Sequence, residues 1–284
     1  MSTTQSPPAT SPPRTPPPKY WMWPIRIPAK IASRTLRMAR KLDDRLAPWY
    51  LWYPAAMIAG SLPMLVAYLL GTPGGQLGSS LLLTPLLVAA VSRDSMLRGL
   101  GALALGFLAH CALVITLTYN DPNGVAAIYP RGEDYWQVTL QWVLSGQSPE
   151  YELSHWLWAH VQLMLASTFF SFTSLGSVTL WQGFQEVDLM NCYVGNMLIH
   201  SKNPFTTLLV GWHIWSITRG LGYLLLTFEV TSYSLERMTK VRLSTRLRRI
   251  RRWQIGIGFL VLDGVLKYNL LEIVRQSLEN NLTT

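Results

Sequence analysis

Apolar residues in this chain fall in long blocks separated by short polar or basic stretches, a different pattern from the one-sided stripes of a soluble helix. Pro54 to Leu70, Leu97 to Tyr119 and Gln254 to Val274 each carry enough consecutive apolar residues to cross hydrocarbon as a helix. Two further spans are expected over Trp156 to about Leu180 and over Phe205 to Thr231. Ser79 to Val91 is shorter, about 20 Å as a helix. With Pro85 inside it, this run either crosses with help from its flanks or dips in and returns. Residues 181–204 are half apolar but carry Glu186, Asp188, Asn191, Asn196 and His200. They read as a re-entrant helix or a short crossing.

The polar stretches differ in kind. Residues 1–28 contain nine prolines among Ser and Thr and read as a disordered, partly polyproline tail. In residues 29–47, Ile31, Thr35, Met38, Leu42 and Leu46 recur at helical spacing beside Lys30, Arg34, Arg37, Lys41 and Arg45. That spacing predicts a basic amphipathic helix lying on anionic headgroups with its apolar edge in the interface. Residues 48–278 form the transmembrane domain, interrupted by an extramembrane insert at 120–155. The insert opens on the turn Asp121-Pro122-Asn123-Gly124 and holds a short surface helix over Glu133 to Leu144. Residues 279–284 are a polar tail.

Only 14% of the residues are charged, below the roughly 25% of soluble domains. The net charge of +9 would suit nucleic acid if it formed one patch on a globule. Instead eight Lys or Arg lie between Lys19 and Arg45 and eight between Arg237 and Arg252, flanking apolar segments, so no nucleic-acid partner is expected. The first apolar run begins near Trp49, too deep for a cleavable secretory signal, which predicts an uncleaved anchor.

The fold expected from these patterns is an all-α polytopic transmembrane helix bundle of six or seven crossings, with an N-terminal amphipathic interfacial helix. With the N-terminus cytoplasmic, six crossings would put the Arg237–Arg252 cluster outside, against the positive-inside rule. Counting Val187 to Ile199 as a crossing makes seven and restores it. A bacterial inner (plasma) membrane is the expected setting.

Ionisable groups within the spans are the candidate chemistry, because each is costly in hydrocarbon unless paired or wetted. They are His110, His160, His213, Arg219, Glu229, Asp263 and Lys267. Arg219 is expected to meet an acid, and Asp263 to meet Lys267 four residues on, one turn away, or a partner on a neighbouring helix. His110 follows Ala102 and Gly106 at four-residue intervals, a small-residue face that places it at a helix contact. His110, His160 and His213 on different spans could also hold a b-type haem between two of them. Glu186, Asp188 and His200 are expected at headgroup level. Cys111 and Cys192 are the only cysteines, and no metal site is expected from them.

No nucleotide-binding or hydrolase motif is present. The leading expectation is a permease-like or scaffold subunit of a larger membrane complex, with membrane lipids and other protein subunits as partners. The alternatives are a membrane-embedded enzyme acting on a lipid or lipid-linked substrate at the headgroup level, and a b-haem electron-transfer subunit.

Overall fold

The computed structural model describes residues 23–46, 48–147 and 153–283; the side chains of 23–32, 153–157, 159 and 160 lie outside it. The described residues fold into helices joined by short turns: α1 (Trp23–Arg45), α2 (Trp49–Leu69), α3 (Gly75–Ser92), α4 (Met96–Asn120), α5 (Pro122–Ile128), α6 (Pro130–Ser145), α7 (Leu153–Ser174), α8 (Ser177–Ile199), α9 (Pro204–Gly211), α10 (Ile214–Thr239) and α11 (Arg246–Asn281). Three of them, α2, α3 and α4, are long and apolar enough to cross a membrane, which marks the chain as a membrane protein.

Contacts fix the direction of each long helix. Beside α2, α4 runs parallel: the Trp52 indole N–H donates to the Arg98 carbonyl near one end, and the Tyr68 hydroxyl donates to Asp121 at the other. In between, Gly60 meets Gly106 so closely that a Cβ on Gly60 would land inside van der Waals contact of the Gly106 carbonyl. The small-residue face of α4 therefore packs on α2. Against α8, α3 runs antiparallel, with Gln76 at Asp188 and Leu87 at Gly176. Antiparallel too are α10 and α11, from Arg219–Asp263 to Glu229–Arg252. One end of the bundle thus gathers residues near 46, 93, 175, 240 and 246; the other gathers those near 70, 121, 200 and 281.

Several sequence expectations are corrected. The proline tail was expected to reach residue 28, but Trp23 to Pro28 already belong to α1; residues 1–22 lie outside the described set. On α1, Leu36, Ala39 and Asp43 are buried against the bundle, and Met38 faces outward at 63% exposure. The inward face is set by Asp43, which pairs with Arg93 and Arg98. Ser79 to Val91 is the core of an 18-residue helix, and Gly75 to Gly78 supply its first turn. The fourth span does not run on to Leu180: the chain turns at Leu175 and Gly176, both with positive φ, and α8 starts at Ser177. Residues 181–204 are consequently no short re-entrant piece; most of them belong to α8, 23 residues long and closely packed. Within the 120–155 insert, α5 and α6 fill most of the chain and α7 begins at Leu153. The run Phe205 to Thr231 is broken at Trp212 and His213 into α9 and α10.

Candidate functional site

The middle of the bundle holds a polar centre on four helices. Gly60 on α2 has no side chain to cover its carbonyl, which accepts from the Ser79 hydroxyl of α3 at 2.7 Å and faces His110 Nδ1 of α4 at 2.9 Å. The other ring nitrogen, Nε2, lies 2.8 Å from Asp188 Oδ1 on α8. Asp188 Oδ1 also accepts from the Asn191 amide at 3.0 Å, and Oδ2 accepts from the Gln76 amide at 2.8 Å. His110, Asp188 and Asn191 are wholly buried, and Gln76 nearly so. The imidazole also packs on Phe184, 4.5 Å between ring centres, and Phe184 stacks on Phe107 at 4.1 Å.

This geometry fixes the proton count. A carbonyl only accepts, so Nδ1 carries a proton. Between Nε2 and Asp188 there is then one further proton, and whichever atom holds it the pair is neutral overall. Two amide N–H donors on the carboxylate make up for the water it has lost. Both nitrogens of His110 are committed inside the chain, which leaves neither lone pair for an iron. A haem held by His110 does not fit this arrangement. His160 lies on α7 with its side chain outside the described set. His213 sits at the α9–α10 break among Trp142, Tyr193 and Trp215, with ring centres 4.4–5.9 Å away. Among the described residues no group of three or more His, Cys, Asp or Glu is placed to hold a metal. Cys111 and Cys192 are buried and free.

A second pair lies on α10 and α11. The Arg219 guanidinium reaches both oxygens of Asp263, at 2.9 and 3.1 Å, in the two-pronged geometry that suits a buried carboxylate. Asp263 thus meets Arg219 across the helix interface, and Lys267 is buried on the same face of α11 one turn away. Gly222 and Gly256 let the two helices approach closely enough for this.

The third cluster closes one end. Glu229 accepts from Arg252 at 2.8 Å, and the same guanidinium nitrogen reaches Asp94 at 2.7 Å. Asp94 also takes Arg248, while Arg249 reaches Glu236. Asp43 and Asp44 hold Arg93, and Asp43 holds Arg98. Five carboxylates and five guanidiniums thus tie α1, the α3–α4 turn, α10 and α11 together. At the other end, Asn281 donates to Ser201 and to the Asn203 carbonyl, docking the C-terminal turn on the α8–α9 connection. There too the Gly124 N–H and the Tyr68 hydroxyl hold the Asp121 carboxyl below its usual range.

The residues expected at headgroup level do not come together. Asp188 is in the central cluster. Glu186 is turned about 200° from it around α8 and is exposed. His200 caps the helix about 18 Å further along, stacked on Trp136 with ring centres 6.1 Å apart. Gln76, Asn191, Ser79 and Gly60 complete the central site; of these the sequence marks only Asn191, as one of the polar residues of the 181–204 segment. No protein-family model, curated protein or solved structure matches this chain.

Proposed function

We propose that this chain is a membrane-embedded scaffold subunit of a larger assembly, crossing the bilayer seven times through α2, α3, α4, α7, α8, α10 and α11. In this reading both basic clusters and the N-terminus lie on the cytoplasmic side, and α5, α6 and the C-terminus lie opposite. The directions of the helices support it: residues near 46, 93 and 246 share one end, as the positive-inside rule requires. So does the state of the central ionisable groups, which engage one another and hold helices in register. A permease-like role would need such groups to exchange partners.

The observation that carries the assembly reading is Glu186. It stands in mid-helix on α8, at the depth of the His110–Asp188 centre, and is exposed. A carboxylate facing acyl chains at that depth costs about 2.5–3.5 kcal/mol on insertion scales. A second subunit covering this face with a donor removes the cost. Purification in a gentle detergent tests it. The expected result is a second subunit, or a second copy, held by the wild-type chain and lost on Glu186→Leu; an isolated 32.1 kDa chain from native membranes would overturn the proposal.

A further inference from the structure

The ion network at the basic end is balanced within itself, five acids to five arginines, and leaves no described acid there for the cations around it. Those cations are exposed and come from two neighbouring elements. Arg34, Arg37, Lys41 and Arg45 line the outer face of α1. Arg242, Arg246 and Arg251 stand out from the α10–α11 turn and the start of α11. The two elements adjoin, since Leu42 and Leu46 of α1 pack in the same apolar cluster as Met238 and Leu243.

Apolar side chains are interleaved with these charges. Met38, Leu247 and Ile250 are 63%, 59% and 43% exposed, and Trp49 and Tyr50 stand open just beyond α1. An acidic protein surface would satisfy the cations but not these groups. A membrane–water interface satisfies both, with phosphates for the cations and the upper acyl region for the aliphatic and aromatic side chains. We propose that the outer face of α1 and the α10–α11 turn form one binding surface for the phosphates of anionic phospholipid headgroups.

This inference rests on the membrane-spanning reading above, and the two fail differently. If the chain stays soluble without detergent, the membrane reading falls; if it needs detergent but ignores headgroup charge, only this inference falls. The test uses the full-length chain equilibrated with equal amounts of phosphatidylglycerol and phosphatidylcholine, washed, and weighed by native mass spectrometry. Phosphatidylglycerol should be retained over phosphatidylcholine by about tenfold. That preference should shrink as salt rises from about 0.05 to 0.5 M, because exposed cations are screened. It should also fall severalfold when Arg34, Arg37, Lys41, Arg242, Arg246 and Arg251 are all changed to Gln, none of which belongs to the internal network. Equal retention of the two lipids by the wild-type chain overturns the proposal whether or not the variant folds. An undiminished preference in the folded variant also overturns it, as does the loss there of a co-purifying acidic protein with lipid retention unchanged.

Discussion

The His110–Asp188 centre and the arginine network at the basic end both place ionisable groups on apolar helices, yet they deal with charge in opposite ways. The central pair is wholly buried and neutral as a unit, with every polar atom engaged by a neighbour inside the bundle. The end network is made of full charges with shared partners: Arg252 holds two carboxylates, and Asp94 takes two arginines. Arg248, Arg93 and Asp44 in it are largely exposed. Removing one member of the first leaves the other stranded. Removing one member of the second leaves an alternative partner or water. The first arrangement fixes which helices touch; the second fastens the ends where chain turns meet solvent.

That difference can be broken by substitution. Asp188→Leu should be the most damaging change, lowering stability by about 3–5 kcal/mol, because His110, Gln76 and Asn191 lose their shared acceptor inside the bundle. Denaturant titration of the purified protein in detergent would read it, and Asp188→Asn should restore part of the loss. Gly60→Ala comes next, at about 1–3 kcal/mol, since the added methyl forces α2 from the Gly106 backbone and pulls the Gly60 carbonyl off His110. Glu229→Gln should cost only about 1–2 kcal/mol, Arg252 keeping Asp94. A loss at Glu229 equal to that at Asp188 would erase the contrast.

The smallest effect is expected at Asp121, outside the spans. Its folded pKa lies below the unfolded value of about 3.9, so its contribution is fully present above that pH and is lost as pH falls through the folded value. Asp121→Asn should therefore flatten the acid limb of the stability profile and leave the neutral region nearly unchanged. Melting curves between neutral and acid pH check this.

Much of the architecture is legible in the apolar blocks, because span length is a one-dimensional property. The central helix α4 is the clearest case: Ala102, Gly106 and His110 at four-residue spacing announce both a close contact and an inward histidine. Harder to read is α8. Asp188, Asn191 and Asn196 lower its hydropathy, and the groups that satisfy Asp188 stand far off in sequence, at Gln76 and His110. Polarity that is cancelled by tertiary pairing looks, in the chain alone, like polarity that needs water. The break at Trp212–His213 escapes for a different reason: the residues on both sides are apolar, and hydropathy does not record whether the helix is continuous. On α1 the inward face includes Asp43, which no apolar stripe would contain, while Met38, which fits the stripe, faces out.

Orientation labelling bears most directly on the central claim, that the chain threads a bilayer seven times with its arginine network on the cytoplasmic side. Single cysteines would replace Thr72, Lys202 and Thr245, all exposed, against Cys111 and Cys192, which are buried. In intact cells a membrane-impermeant thiol reagent should reach positions 72 and 202 and spare position 245 until the membrane is opened. Labelling of positions 202 and 245 from the same side would contradict the account.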